Sequence, residues 1–318
     1  MSTKSSPKNS PVHRLALIAG PTASGKSAVA LALANARRKH KLDTWIINAD
    51  SMQGYSDIPI LSAAPSEKER KAHPHKLYGA WDGAESCSAA SWAKRARSVI
   101  AEAHQAGVLP VLVGGTGMYM KVLLEGIAPI PEIDPEVRSV VRAMDTATAY
   151  AALQIEDPER ASQLDPGDSQ RIARALEVKK STGVTLGDWQ MAKSGGIAEE
   201  VTLTAVVHVP DRQWVYNRCD ARFEAMLAAG AIAEVEALLK RGLSPALPVM
   251  RAIGVPEIAA YLAKEIDRQE LVARGAQATR NYAKRQFTWF RNQSPESWTR
   301  VESENIDIKE VFASLLRD

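Results

Sequence analysis

The chain has 318 residues, 45% of them apolar and 24% charged, with a formal net charge of +3 and a pI of 8.8. That length supports one large domain or two modest ones, and the composition is ordinary for a soluble globular protein. No run approaches the roughly eighteen consecutive apolar residues of a bilayer-spanning helix, so no membrane partner is expected, and the charge is too mild to establish a nucleic-acid partner by itself.

The opening MSTKSSPKNSPV is polar and Pro/Ser-rich and lacks the apolar centre of a secretory signal. Residues 1–13 are expected to form a disordered tail on a cytoplasmic protein. The first predicted strand is LALIA (Leu15–Ala19), followed by GPTASGKS and then by SAVALALANA (Ser27–Ala36), whose Ala/Leu content and apolar spacing predict a helix. Gly20, Gly25, Lys26 and Ser27 fill the pattern G-x-x-x-x-G-K-[ST] in the strand–loop–helix setting that a phosphate-binding loop requires. The physics fits that role. Successive backbone N–H groups converge on phosphate oxygens at the positive end of a helix. Lys26 adds a mobile charge, and the Ser27 hydroxyl is placed to ligate Mg²⁺.

Thr44–Asn48 predicts a second strand, which delivers Asp50 and Ser51 to the carboxyl edge of the sheet, where open α/β sheets hold ligands. The bland alternative for Asp50 is a helix cap. His73 and His75 lack further metal-spaced partners and read as a surface loop. Cys87 and Cys219 belong to no CxxC or zinc spacing and are expected as two buried, reduced thiols. The next strand, centred on Val108–Val113, ends in Gly114-Gly115-Thr116-Gly117 rather than in the acidic residue typical of a P-loop ATPase. A hydroxyl on such a turn suggests close approach of a bulky ligand and a hydrogen bond to it.

From about Glu125 a Pro-rich linker leads into helices predicted over Glu136–Met144, Ala147–Ile155 and Pro158–Gln163, with Asp134 as an N-cap. A further helix bounded by Asp168 and Gly183 carries Arg171, Arg174, Lys179 and Lys180, a cluster that alone reads equally as a solvated face. The stretch 126–200 thus reads as a helical insertion into a core made of 14–125 and 201–318. Val201–Pro210 predicts a strand mostly buried on both faces, and Arg222–Gly242 one long helix stopped by Gly242. In the last long helix, Arg274, Arg280, Lys284, Arg285 and Arg291, with Arg268 at its edge, face the single acid Glu270. Tyr282, Phe287, Trp289 and Phe290 interleave with them. Alone this is a terminal helix packing its aromatics on the core; beside a second basic helix, RNA is the better reading.

Taken together, GPTASGKS, Asp50-Ser51 with Tyr55, LVGGTGMY, DPEVR, DSQRIARALEV, RAIG and TRNYAKRQFTWFR resemble the bacterial tRNA dimethylallyltransferases over about Arg14–Arg291. The resemblance implies an α/β fold, a P-loop kinase-like parallel sheet core with a helical insertion domain that clamps the anticodon stem-loop of tRNA. It implies transfer of a dimethylallyl group from dimethylallyl pyrophosphate to the N6 amine of the adenosine 3′ of the anticodon, with Mg²⁺ as cofactor, by a monomer. Gly20, Pro21, Thr22, Ala23, Ser24, Gly25, Lys26 and Ser27 would hold the pyrophosphate, Ser27 through the metal; Asp50 would act as general base, with Lys26 and Thr116 as its catalytic companions. Contacts to tRNA are implied for Asp50, Ser51, Met52, Gln53, Thr116, Arg138, Gln170, Arg171, Ile172, Ala173, Arg174, Arg280, Lys284, Arg285, Gln286 and Arg291. The chain departs from the family pattern M-D-I-G-T-A-K-P, reading Ser56-Asp57-Ile58-Pro59-Ile60-Leu61-Ser62-Ala63-Ala64-Pro65, and RAIG is followed by Val255-Pro256. The alternatives are a P-loop small-molecule or nucleoside kinase, which would bind ATP, and a non-catalytic RNA-binding protein.

Overall fold

The structure, a computed structural model, describes residues 13–317. The tail expected at 1–13 lies outside the described residues except for His13, whose carbonyl accepts the Thr202 N–H at 2.8 Å. Leu124–Gly196 forms one compact unit, and the chain before and after it forms the other.

In the sheet unit, β1 (Arg14–Ala19), β2 (Thr44–Asn48) and β4 (Leu109–Gly114) are short apolar runs buried almost throughout, the pattern of strands covered on both faces. Between them lie α1 (Lys26–Lys39), α2 (Glu67–Ala72), β3 (His75–Lys76) and α3 (Ala89–Gln105), and after β4 comes α4 (Gly117–Glu125). The helix α1 seats Val29, Ala30, Leu33 and Ala34 on Ala16, Ile18, Ile46, Val111 and Val113 of the sheet. The HPHK segment is not a surface loop. His73 is 3% exposed, bonded to Asn35 and Arg38, and His75 opens the edge strand β3.

The helical unit contains α5 (Pro135–Ala143), α6 (Thr146–Glu156), α7 (Pro158–Ser162), α8 (Ser169–Thr182) and α9 (Leu186–Met191). Aspartates cap four of them, Asp134, Asp145, Asp157 and Asp168 accepting first-turn amides. Its core joins Ile133, Val141, Leu153, Ile172, Leu176 and Val178. The fully buried Glu177 carboxylate of α8 takes the Arg142 Nε of α5 at 2.7 Å and lies 3.9 Å from Arg174. A buried acid needs such partners.

The sheet unit resumes with β5 (Thr202–His208), α10 (Arg212–Ala228), α11 (Ala231–Lys240), α12 (Val255–Leu262), α13 (Arg268–Gln293), β6 (Thr299–Val301) and α14 (Ile308–Val311). The strands are all parallel, in the order β3-β2-β4-β1-β5-β6. Ile18 of β1 stands opposite Val113 of β4 on one side and Val206 of β5 on the other. Two expectations are corrected here. β5 is buried only from Ala205 on, because β6 pairs with Val206–His208 alone and leaves the start of β5 as an edge. The single helix expected over Arg222–Gly242 is two helices, broken where Gly230 takes φ 108°, a conformation that side chains disfavour. Cys219 is buried as expected, whereas Cys87 is half-buried; both are free thiols. Among the described residues no helix is long and apolar enough to cross a membrane.

Gly275 of α13 lies against Phe223 of α10: a Cβ there would fall 2.0 Å from the ring's Cζ. Gly275→Ala gains about 1 kcal/mol of helix propensity but overpacks a ring that is 2% exposed, at a cost of about 1–3 kcal/mol or more. The clash dominates, and a lower midpoint in urea unfolding is the expected outcome.

Candidate active site

The turn from β1 into α1 puts GPTASGKS at the carboxyl edge of the sheet, beside the exits of β2 and β4. Only Thr22, Lys26 and Ser27 of its residues line the adjoining cavity of about 240 Å³. Gly20, Pro21, Ala23 and Ser24 are buried, Ala23 against Val215, Cys219 and Ala283 of α10 and α13 and Gly20 against the His208 carbonyl. The Pro21 carbonyl accepts the Lys26 ammonium at 3.1 Å and the Ser24 N–H at 3.3 Å, and the Ala23 carbonyl accepts Arg218 Nε at 2.8 Å. Gly25 precedes α1, whose first-turn amides have no intrahelical acceptor and leave a positive end beside Ser27.

Gln286 of α13 changes the expected picture. Its Oε1 accepts the Thr22 N–H at 2.7 Å, and its Nε2 donates to the Gly115 carbonyl at 2.9 Å. At 4% exposure it has no face for RNA, so the tRNA contact expected of it is replaced by a bridge inside the fold. The same bridge occupies the Thr22 amide, which therefore does not belong to the anion cradle.

Asp50 is held through Asn48, which is fully buried. Asn48 accepts the Asp50 N–H at 2.8 Å and donates to the Asp50 carbonyl at 2.8 Å and the Leu77 carbonyl at 3.1 Å. Asp50 Oδ1 accepts the Met52 N–H at 3.1 Å. Thr116 Oγ1 accepts the Ser51 N–H at 3.0 Å, so Thr116 positions Ser51 and is not itself part of the cavity wall. The close approach expected of a ligand at Gly115 and Gly117 is made by the chain: a Cβ would fall 2.2 Å from Gln286 Nε2 and 2.2 Å from the Trp289 ring respectively.

The cavity gathers Asp50 with Lys26, Arg222, Arg251 and Arg285, and sets these charges beside an apolar wall of Ile58, Leu61, Phe223, Met226 and Ile253. Burial pulls the Lys26 ammonium down to about 8, against the opposing pull of the Asp50 carboxylate. Burial likewise lowers Arg222, again opposed by Asp50. The Tyr282 phenol is raised well above its usual range, first by burial and then by Asp50, with the nearby Thr116 and Ser51 hydroxyls opposing the shift. Arg222, Phe223 and Met226 are cavity residues not expected from the sequence, and Arg251 had no role assigned from it. A signal existed: Cys219, Arg222, Phe223 and Met226 recur at helical spacing on one face of α10, a cation set into an apolar stripe.

Met52 and Gln53 line the cavity with Ser51. In the helical unit, Arg138, Gln170 and Arg171 are exposed, Arg171 pairing with Asp168 at 3.0 Å, and Ala173 and Arg174 are half-buried. Ile172 is fully buried in that unit's core, which corrects its expected contact with tRNA. On α13, Lys284, Arg285 and Arg291 are exposed, whereas Arg280 is engaged by Asp220. Among the described residues no three His, Cys, Asp or Glu side chains form a metal-holding group.

Comparison with known proteins gives this arrangement a family. The profile described as IPP transferase matches residues 53–293, and that described as Isopentenyl transferase matches 13–78. The tRNA dimethylallyltransferase of Erythrobacter litoralis is 57% identical over 303 residues, covering 95% of this chain and 96% of that protein. That of Zymomonas mobilis subsp. mobilis is 51% identical, covering 98% and 97%. The chain belongs to the tRNA dimethylallyltransferase family. The crystal structure of the Bacillus halodurans tRNA isopentenylpyrophosphate transferase is similar, with a TM-score of 0.67 at 29% identity over 95% of this chain and 94% of that one. A eukaryotic dimethylallyltransferase acting on tRNA gives 0.74 at 25% identity over 87% of this chain and 69% of that one. Membership in the family, more than the phosphate loop, separates the chain from kinases that share the loop.

The depressed Lys26 makes anion binding pH-dependent. Affinity for inorganic pyrophosphate with Mg²⁺ is expected to fall as pH rises through about 8, and Lys26→Met flattens that component in calorimetric titrations. Stability moves the other way. Between about 8 and the ordinary lysine range the unfolded chain holds the extra proton, so resistance to urea rises over that window.

Proposed function

We propose that the chain transfers a dimethylallyl group from dimethylallyl pyrophosphate to the N6 amine of the adenosine 3′ of the anticodon in tRNA, releasing pyrophosphate. One observation carries the reading: a single cavity holds the phosphate-loop cations, a carboxylate and an apolar wall. An apolar wall beside the phosphate end suits the hydrocarbon tail of a prenyl diphosphate.

The reaction breaks the bond between the allylic carbon and the bridging oxygen. Its electron pair leaves with pyrophosphate, and the negative charge is met by Lys26, Arg222 and the positive end of α1. The N6 lone pair forms the new carbon–nitrogen bond. The amine proton passes to Asp50, whose Oδ1 is engaged by the Met52 amide and whose Oδ2 takes it. Asn48 fixes the backbone that carries this base. The adenine must leave its stack, which costs a few kcal/mol in a duplex and less in a loop.

Mg²⁺ fits the residues present. The Ser27 hydroxyl offers a hard oxygen at the phosphate end, and a metal held there would take its remaining ligands from diphosphate oxygens and water. When bound, it neutralises charge on the leaving group. The exposed cations Arg171 of α8 and Lys284 of α13 pair with tRNA phosphates.

The test is incubation with dimethylallyl pyrophosphate, Mg²⁺ and unmodified bulk tRNA without ATP, followed by mass analysis of the nucleosides. A dimethylallyl adduct on adenosine is expected; its absence, or a need for ATP, overturns the proposal. Asp50→Asn should lower turnover by on the order of 10²–10⁴ while tRNA affinity stays unchanged in filter binding. Arg171→Ala and Lys284→Ala should weaken tRNA binding and each reduce the slope of log affinity against log salt by about one.

A further inference from the structure

We infer that Leu61 sets the length of the prenyl chain the cavity accepts, and that Glu234 is the positioning residue that holds it in place. This rests on the reading of the cavity as a prenyl diphosphate site and names the feature that selects among such donors.

Leu61 is 6% exposed and lines the cavity beside Ile58 and Met226. It sits on a loop, yet the loop is fixed from several directions. Its own backbone closes on itself, Ser62 N–H to the Ile58 carbonyl, Ala63 N–H to Ile60 and Ala64 N–H to Pro59, each at 2.9 Å. Glu234 of α11 accepts the Ile60 N–H on one carboxylate oxygen at 2.7 Å and the Leu61 N–H on the other at 3.0 Å. Gln53 donates to the Ser62 and Ala63 carbonyls at 3.0 Å. Behind the side chain stands Gly254, where a Cβ would fall 2.6 Å from Leu61 Cδ1. Leu61 is therefore seated in a notch that only glycine leaves open, with its backbone clamped by a bidentate carboxylate.

A wall atom held this way discriminates by size, because Glu234 fixes the backbone that carries Leu61 and the Gly254 notch confines its methyl groups, which leaves a longer tail little room to displace them. The other apolar members of the wall, Phe223 and Met226, project from α10, and Phe223 is packed against Gly275. Removing them disturbs helix packing, whereas truncating Leu61 opens space and leaves every backbone bond of the loop intact. Selection by one methylene in an apolar pocket is worth roughly 10–200-fold.

The experiment uses the full chain, Mg²⁺ and unmodified tRNA, with dimethylallyl and geranyl diphosphates compared by kcat/KM and by nucleoside mass. The native chain should prefer the dimethylallyl donor. Leu61→Ala should raise the geranyl-to-dimethylallyl ratio by roughly tenfold or more, with Leu61→Val intermediate. Glu234→Gln, which can accept only one of the two amides, should raise KM for dimethylallyl pyrophosphate and leave KM for tRNA unchanged. A native chain that makes the dimethylallyl adduct while both Leu61 variants keep its ratio overturns the assignment of Leu61. Equal rises in both KM values overturn that of Glu234. A native chain that makes no adduct overturns the functional reading itself, and this inference with it.

Discussion

The site depends on one buried amide. Gln286 reaches from α13 between the exits of β1 and β4, and it joins them by accepting from Thr22 and donating to Gly115. No apolar side chain could do this, since it would strand a buried N–H on one side and a carbonyl on the other, each at a cost of about 1–3 kcal/mol. A glutamate could satisfy the donor but would face the Gly115 carbonyl with like partial charge. The amide's two-sided chemistry thus registers a C-terminal helix against a loop near the start of the chain, 264 residues away. The absence of a Cβ at Gly115 is the other half of the contact, because Nε2 occupies the place where that atom would stand.

From that registration the electrostatics of the cavity follow. The helix α13 also brings Tyr282 and Arg285 to the cavity, while α10 brings Arg222 and β2 delivers Asp50. One carboxylate among several cations is a net positive enclosure, and burial makes it costly for Lys26 and Arg222 to remain charged. A diphosphate relieves that cost, since it brings the opposite charge to groups already held in place. Stability given up by the free chain is in this way recovered on binding, the usual exchange at a preorganised site.

How much of this could be read from the sequence depended on how local the signal was. The loop GPTASGKS, the strand-end Asp50 and the aspartate caps of the helical unit are local patterns whose physics is complete within a few residues. Gln286 was visible only as one polar residue in a basic aromatic run, because nothing within its own helix reveals that both of its partners lie on distant strand ends. Ile172 was drawn into a polar stretch by its neighbours, although its apolar side chain points to the core. The glycines after β4 were correctly seen as places of close approach, but the approaching groups are Gln286 and Trp289 from the same chain. Arg222 was hidden in a stretch read for helicity alone. A reading of that helix by face, not by propensity, would have set it apart.

The divergent segment 56–65 shows why a departure from a family pattern need not be a loss. With Pro65 as the common point, Leu61 stands where the family pattern has glycine and Ala64 where it has lysine. A leucine in that place needs room and a fixed backbone. The notch at Gly254 supplies the first, and the Glu234 carboxylate supplies the second. Farther along, Arg241 ties Asp57 to Asp82, so the entry to the loop is anchored by charge as well. These supports come from α11, from the residue after it and from the RAIG turn, none of which the sequence marks as part of the cavity. The loop and its scaffold form one mechanical unit, in which the apolar wall is only as stiff as the polar contacts behind it. The Arg241–Asp82 pair is partly exposed and such pairs are weak supports in water, but two backbone amides on one half-buried carboxylate are charge-assisted and geometrically fixed. For that reason the wall's rigidity is better attributed to Glu234, which holds the Leu61 amide itself, than to the Arg241–Asp82 pair.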